Sequence, residues 1–247
     1  MSTTTKSLLN STALKKILTA SLTLALTAAV AGCGGAPAKS AAAPEPPAKT
    51  ETAATSTAAI PTGLQGKKVL IAYYSYSNNT RIVAQMLQAK VGGDLFAIEP
   101  ATPYSTTDYR GVSAQGQREV RNGYKPALKN KVTNIAAYDV VVLGSPIWWG
   151  TIAPPVATFL AEHDLAGKTI VPYVTHGGYG AGTSFEDIAS QAPQTKVLTG
   201  LSLDRRSVPG ATFLDANGQN VPPAAAELQK YPAAATEIDN WLSKLKF

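Results

Sequence analysis

The sequence predicts an α/β fold: a three-layer sandwich in which helices cover both faces of a five-stranded parallel sheet. Strand and helix patterns alternate from residue 69 towards the end of the chain. The segment Tyr138–Gly144 (YDVVVLG) is almost continuously apolar, as expected of a strand that is covered on both faces. Polar or glycine-rich loops follow three of the strands, and ligands of such sheets bind at the carboxyl ends of strands.

Residues 1–32 predict the signal peptide of an exported lipoprotein. Three lysines precede the uncharged run Ile17–Ala31, which is too short to span a bilayer comfortably. The letters VAGC that end at Cys33 resemble a bacterial lipobox, in which the cysteine becomes the lipidated first residue. We therefore expect Cys33 to anchor the protein to a bacterial cell membrane, outside the cytoplasm. Gly34, where some bacteria place Asp to retain lipoproteins at the inner membrane, favours the outer membrane in an organism that has one.

Residues 33–63 predict a disordered tether, and residues 64–247 predict one folded domain. The tether is rich in Ala, Pro, Ser and Thr and has almost no large apolar side chain to bury. The formal net charge of the chain is +6, and the three lysines of the signal account for half of it. The remaining excess is too small to indicate nucleic-acid binding, and no basic cluster with interleaved aromatic residues is present in the sequence.

The first strand and the loop after it predict a phosphate site. Val69–Ala72 (VLIA) leads into the loop SYSNNT, residues 75–80, and an amphipathic helical pattern with Ile82 and Met86 on one side follows at once. Such a loop directs backbone N–H groups and short hydroxyls to the positive end of a helix dipole. A Walker-type nucleotide site needs a glycine-rich loop that ends in Lys-Ser/Thr, which this loop lacks. The loop therefore predicts a phosphate monoester that belongs to a tightly bound cofactor.

The remaining elements follow in the expected alternation. Pro172 is unusual inside a predicted strand, because proline donates no hydrogen bond to the ladder. The predicted strands are Asp94–Glu99, Tyr138–Gly144, Lys168–Thr175 and Lys196–Leu203, and the predicted helices include Pro154–His163 and Ala233–Leu245.

Two further loops follow the third and fourth strands. Ser145–Thr151 (SPIWWGT) contains two adjacent tryptophans, and Thr175–Gly182 (THGGYGAG) is rich in glycine. Large exposed aromatic side chains invite association unless something covers them. We expect one tryptophan to pack beneath the following helix and the other to cover a flat ligand.

These three loops resemble the FMN-binding loops of flavodoxins. The segments that carry the resemblance are SYSNNT, YDVVVLGSPIWWGTIAPPVATFL and THGGYGAG, and they are most similar to the branch of flavodoxin-like proteins that contains PIWWG and THGG. The resemblance covers nearly all of residues 67–203. It implies FMN as the cofactor and a flavodoxin-like sheet of order 2-1-3-4-5.

The resemblance also implies a role for the residues of each loop. The FMN phosphate would be held by Ser75, Ser77, Asn78, Asn79 and Thr80. The isoalloxazine would be lined by Pro146, Ile147, Trp148, Trp149 and Gly150, with at least one tryptophan against the ring. Its pyrimidine edge would be wrapped by Thr175, His176, Gly177, Gly178 and Tyr179. In this scheme no residue is catalytic, because the protein binds the cofactor and tunes its potentials. No cluster in the sequence has the spacing of metal ligands.

Two departures from the flavodoxin pattern affect the interpretation. Flavodoxins are usually strongly acidic, whereas this chain is mildly basic, so the usual cationic partners are in doubt. His176 places a titratable imidazole in the third loop. Its cationic form would stabilise reduced flavin, and the alternative is a surface or hydrogen-bonded loop histidine; both interpretations stay open here.

Three functions are compatible with the sequence. The first is a membrane-tethered electron carrier that exchanges electrons with a partner protein or a small-molecule acceptor. The second is an FMN-dependent oxidoreductase that transfers electrons from NAD(P)H to quinones or similar acceptors, since the same fold serves both. The third is a binding module that has kept the fold without redox work. Aromatic rings over both flavin faces would favour the carrier, because an enzyme needs room for a second substrate at one face.

Overall fold

The computed structural model describes residues 62–208 and 228–247. The predicted signal peptide, Cys33 and all but the last two residues of the predicted tether lie outside the described residues, as do residues 209–227. All described residues fall within a single unit. None of the helices in the two described ranges is both long enough and apolar enough to cross a membrane.

Strands and helices alternate along the described chain, as the sequence predicts. The strands are β1 (Val69–Tyr73), β2 (Asp94–Ala97), β3 (Val140–Trp148), β4 (Thr151–Ile152), β5 (Thr169–His176), β6 (Lys196–Val197) and β7 (Leu201–Asp204). The helices are α1 (Asn79–Val91), α2 (Tyr109–Arg121), α3 (Pro154–Glu162), α4 (Ser184–Gln191) and α5 (Pro232–Leu242). Short 3₁₀ turns lie at Thr62–Leu64 and Ile135–Ala137.

The sheet confirms the predicted order and corrects the predicted number of strands. Its order is β2-β1-β3-β5, and β6 and β7 both pair in parallel with β5. If β6 and β7 are counted as one interrupted strand, the order is the expected 2-1-3-4-5. The described part of the sheet has seven strands rather than five, because this last strand is divided and β4 forms an additional antiparallel hairpin with β3.

Pro172 explains why the predicted fifth strand is divided. The carbonyl groups of Lys168, Ile170 and His176 accept hydrogen bonds from backbone N–H groups within or directly after β6 and β7. Alternate residues of a strand direct their polar backbone groups to the same edge, so residue 172 faces these strands as well. Proline has no N–H to donate there. The pairing accordingly stops after β6 and resumes at Tyr173 with β7.

Strand β3 is longer than predicted and enters the second of the three loops. The sequence placed its end at Gly144, whereas the strand continues to Trp148. The extension has partners on both sides, because Pro146 is in register with Thr175 of β5 and Trp148 with Thr151 of β4. The segment predicted as a loop therefore forms the end of a β-hairpin whose turn contains two residues.

The core has two layers, one on each face of the sheet. One contains Ile71 of β1 and Val142 of β3 and packs under α1 and α5. The other contains Leu70 and Val141 and packs under α2, α3 and α4. Neighbouring residues of each central strand thus pack into opposite layers of the core, because side chains alternate between the two faces of a strand. The three-layer arrangement brings the carboxyl ends of β1, β3 and β5 side by side.

Candidate functional site

A cavity of about 450 Å³ lies at the carboxyl end of the sheet, where loops follow three of the strands. Its volume is in the range of small-molecule sites, and its walls are mainly aromatic, apolar or glycine residues. The second loop supplies Ile147, Trp148, Trp149 and Gly150; the third loop supplies His176, Gly177, Tyr179, Gly180 and Gly182; the first loop supplies Tyr76; and α2 supplies Tyr109, Val112, Ser113 and Gly116.

The two tryptophans of the second loop have different roles. Trp148 is half-buried, and its ring centroid lies 4.8 Å from that of Tyr104 in an edge-on arrangement. A side chain at Gly116 of α2 would meet the Trp148 ring, since an added Cβ atom would lie 2.8 Å from it. Trp149 is 54 % exposed, and its indole Nε1 donates to the Ser113 carbonyl at 2.9 Å. One tryptophan is therefore packed beneath a helix, as expected, although that helix is α2 rather than the following one.

The turn between β3 and β4 is strained in a way that presents Trp149 to the cavity. Trp149 has φ 53° and Gly150 has φ 86°. Positive φ at both central residues is the pattern of a type I′ hairpin turn, which suits the twist of the flanking strands. Tryptophan is rare in this conformation. The hairpin therefore places a bulky ring at a turn position where Gly or Asn is the usual residue.

The aromatic wall behind Trp148 includes a buried tyrosine and a buried acid. Tyr104 donates its hydroxyl to Glu119 Oε2 at 2.6 Å, and Gln115 Nε2 donates to the other carboxylate oxygen at 2.7 Å. Burial raises the pKa of the Tyr104 phenol, and the hydrogen bond to Glu119 raises it further. The phenol therefore remains a hydrogen-bond donor throughout the physiological pH range and fixes the ring against which Trp148 packs.

The third loop begins with a histidine that is hydrogen-bonded inside the loop. His176 Nδ1 accepts from the Gly178 N–H at 3.0 Å, and the ring also lines the cavity. Because Nδ1 is an acceptor, the neutral ring carries its proton on Nε2. Both interpretations of His176 thus keep a structural basis, and its effect on a flavin potential stays a prediction. Tyr179, in the same loop, is 97 % exposed.

In the first loop, several predicted phosphate ligands already have hydrogen-bond partners within the protein. Ser77 donates to Asn79 Oδ1 at 2.8 Å, and Asn79 Nδ2 donates to the Val208 carbonyl. The Thr80 hydroxyl lies 2.9 Å from that of Thr175, so one predicted phosphate ligand contacts one predicted flavin ligand. Both threonines are almost fully buried. Ser75 Oγ accepts the Arg81 N–H at 3.2 Å in the first turn of α1.

Ser75 and Asn78 line a second cavity of about 290 Å³, on the β2 side of the first loop. Tyr76 lines both cavities, and its hydroxyl donates to the Ser105 carbonyl at 2.7 Å. Of the fifteen predicted cofactor ligands, the larger cavity brings together seven, which are Ile147, Trp148, Trp149, Gly150, His176, Gly177 and Tyr179.

Sequence reasoning missed the contribution of α2 to the cavity. Helix α2 buries only Val112, Gly116 and Glu119, so it offers a single large apolar side chain to the core and is polar as a whole. Other signals of a helix were present. Asp108 accepts the Gly111 N–H at 2.8 Å as an N-cap, and Arg118 and Arg121 lie in the last turn, where cations are favoured.

Comparison with known proteins agrees with this geometry. The family profile described as Flavodoxin matches residues 68–211, more than half of the chain. The chain belongs to the flavodoxin family. Flavodoxins are FMN proteins, so membership supports FMN as the cofactor. The finer assignment to a PIWWG/THGG branch stays a prediction.

Solved structures similar to this chain include three that are described as flavoproteins. A protein from Bacteroides eggerthii described as a flavoprotein is 36 % identical, with a TM-score of 0.51, and the match covers 58 % of this chain and 94 % of that one. A protein from Bacteroides uniformis with the same description is 28 % identical, with a TM-score of 0.51 and coverage of 56 % and 91 %. A flavoprotein from Lactobacillus acidophilus, solved in complex with FMN, is 23 % identical, with a TM-score of 0.49 and coverage of 58 % and 97 %. No protein of curated function matches the chain.

Proposed function

We propose that this flavodoxin is an electron carrier that binds the isoalloxazine ring of FMN in the larger cavity. We also propose that it is exported and held at a membrane by a lipid on Cys33. The observation that carries the proposal is the cavity at the carboxyl ends of β3 and β5, with Trp149 and Tyr179 on its walls. When bound, FMN accepts and releases electrons at its isoalloxazine ring.

The aromatic side chains of the cavity fit a flat ring. Trp149 and Tyr179 come from different loops, and both leave large apolar surface in water, which is costly unless a ligand covers it. The hydrogen bond from Trp149 to the Ser113 carbonyl holds the indole in place before a ligand arrives. Two aromatic walls favour the carrier over an oxidoreductase, which needs one flavin face open to a second substrate.

The start of α1 would hold the FMN phosphate chiefly through backbone N–H groups. The hydroxyl hydrogen of Ser77 is directed at Asn79, and the side-chain amide of Asn79 is directed at Val208. These bonds fix the loop around Asn78, whose φ of 64° turns the chain into the helix. A phosphate at this position would gain from the helix dipole and from the N–H groups of the first turn.

Export and tethering are proposed from the sequence of residues 1–63. The basic start, the uncharged run Ile17–Ala31 and the VAGC ending are the pattern of a lipoprotein signal. The predicted tether between the lipid and the domain would keep the carrier close to membrane partners while allowing it to rotate. The partner is a redox protein or a small electron acceptor, and the mildly basic mature chain favours an acidic docking surface over a cationic one.

Stepwise reduction of the FMN-loaded protein tests the carrier against the oxidoreductase. We expect full reduction by dithionite and reoxidation by a redox-active acceptor. Addition of NADPH or NADH, with or without a quinone, should leave the flavin spectrum unchanged. Rapid bleaching of the flavin by NAD(P)H with turnover of the quinone would contradict the carrier and establish the oxidoreductase. Flavin that no reductant can reduce would leave only a binding module.

A further inference from the structure

One carboxylate joins the two loops that form the cavity. Asp187, in the first turn of α4, accepts hydrogen bonds from the hydroxyls of Thr151 and Thr183 on the same oxygen, Oδ2, and the Thr183 bond is 2.6 Å long. Thr151 opens β4 directly after the Trp149-Gly150 turn, and Thr183 lies between the third loop and α4. A single side chain thus ties the hairpin to the glycine-rich loop.

The backbones of these loops also touch at this point. The Thr183 N–H donates to the Gly150 carbonyl at 2.8 Å. Gly182, with φ 56°, lies so close that an added Cβ atom would be 1.9 Å from the Gly150 oxygen. The contact therefore depends on the loops staying in this register, and the Asp187 carboxylate holds the side chains on both sides of it.

The third loop needs such a restraint because its glycines allow it many backbone conformations. Gly178, Gly180 and Gly182 all have positive φ, and glycine loses more conformational freedom on ordering than any other residue. If a loop becomes ordered only when a ligand binds, the conformational entropy that it loses weakens the binding. Hydrogen bonds to an ionised carboxylate are stronger than those between neutral groups, so Asp187 is suited to ordering the loop beforehand.

We propose that Asp187 is a positioning residue that sets the separation of the two aromatic loops and so prepares the cavity for the flavin ring. The flavin part of this inference rests on the proposed function. The restraint itself concerns the protein without its cofactor, since every contact that carries it lies between residues of this chain.

The test compares Asp187→Ala with Glu186→Ala in the full-length protein. Glu186 is an exposed carboxylate in the same helical turn, so its removal changes the charge equally without touching either loop. Two quantities are measured: amide hydrogen exchange of Thr183 in the apoprotein and the dissociation constant for FMN. Asp187→Ala should exchange the Thr183 amide about tenfold faster and bind FMN about tenfold more weakly, since two charge-assisted bonds are lost. Glu186→Ala should match the wild type, and Asp187→Asn, which keeps an acceptor oxygen, should lie between.

Each outcome decides a separate part. Unchanged exchange at Thr183 in Asp187→Ala would overturn the restraint, whatever happens to FMN. Faster exchange with unchanged FMN affinity would show that the restraint exists but does not prepare the cavity, and this overturns the inference. A wild-type protein that binds no FMN would refute the proposed function, while the exchange measurement would still decide whether Asp187 orders the loops. A lower melting temperature alone, with both measured quantities unchanged, would assign Asp187 a merely structural role.

Discussion

The hydroxyl of Thr80 lies 2.9 Å from the hydroxyl of Thr175, and this buried contact joins the first turn of α1 to the end of β5. The Tyr173 hydroxyl adds a second connection, since it donates to the Thr80 carbonyl at 3.1 Å. Helix α1 follows β1, and β5 is separated from β1 by β3. The two contacts therefore brace the start of the proposed phosphate site against the strand that opens the third loop.

Replacing the paired threonines by valine should show strong coupling. Thr80→Val or Thr175→Val alone leaves one buried hydroxyl without its partner and should lower the free energy of unfolding by about 1 to 2 kcal/mol. The double variant removes both hydroxyls with little change in shape, so its cost should be clearly smaller than the sum of the single costs. Urea denaturation of the apoprotein, followed by circular dichroism, measures all three. Strictly additive costs would show that the hydroxyls do not depend on each other.

The two adjacent tryptophans should separate stability from cofactor binding. Trp148→Ala removes the ring that packs against Tyr104 and Gly116 and should cost about 2 to 4 kcal/mol of stability. Trp149→Ala removes an exposed ring and should change stability by less than about 1 kcal/mol. It should nevertheless weaken FMN binding and restore flavin fluorescence, because the ring no longer quenches it.

Each tryptophan variant serves as the control for the other, and thermal unfolding of the apoproteins with FMN titration checks both. A Trp149→Ala protein that bound and quenched FMN like the wild type would contradict the proposed role of the exposed indole. A Trp148→Ala protein as stable as the parent would contradict the packing role of the other ring.

Arg206 should control the titration of Asp204 beside the third loop. Hydrogen bonds from the Arg206 side chain and backbone lower the pKa of Asp204 to about 2 from its ordinary 3.8. A lowered pKa stabilises the folded state above the ordinary value, and this contribution is lost as the pH falls towards 2. Arg206→Ala should therefore raise the pKa of Asp204 and flatten the pH dependence of stability below pH about 4. Carbon NMR of the Asp204 carboxyl measures the shift.

Arg205→Ala is the matched control for that titration. Within the described part of the chain, the hydrogen bond of Arg205 is the one that its backbone N–H donates to the His176 carbonyl. Because this bond does not involve the side chain, Arg205→Ala should leave the titration of Asp204 unchanged. Identical titration curves for both arginine variants would contradict the assignment.

Cys33 should decide where the protein is found in a bacterial cell. With the wild-type chain we expect a mature protein that begins at Cys33, carries a lipid and sediments with membranes. Cys33→Ala should lack the lipid and should no longer be processed before residue 33, whereas Ser40→Ala, in the predicted tether, should behave like the wild type. Intact mass spectrometry of the fractionated protein measures this. An unlipidated wild-type protein in the soluble fraction would refute the anchor.

The sequence predicted the parts of the fold that depend on continuous apolar runs. Strand β1 and the buried part of β3 were predictable because a covered parallel strand must be apolar on both faces, whereas the order of the sheet followed from the resemblance to flavodoxins. Helix α2 was not, since its buried face contains Gly116 and Glu119 and its contact with Trp148 is visible only in three dimensions. The interruption at Pro172 had a local signal, a proline within a strand, but its consequence depended on which edge of β5 the residue faced.

The candidate site was predictable loop by loop but not as a whole. Trp149 and His176, which two of the motifs contain, line the cavity, and their contact with FMN stays a prediction. The motifs did not reveal that Thr80 and Thr175 bind each other or that Asp187 binds Thr151, because those contacts link residues far apart in sequence. A motif names the residue types that a ligand needs, whereas the partners that hold those residues depend on the packing of distant segments.

The visible absorption spectrum of the purified full-length protein tests the central claim most directly. The protein would be incubated with FMN, desalted and measured alongside Trp149→Ala. We predict flavin absorption bands that persist through desalting, with flavin fluorescence quenched in the wild type and partly restored in the variant. A wild-type protein that retains no flavin and shows no change on titration with FMN would contradict the assignment of the cavity and both redox functions.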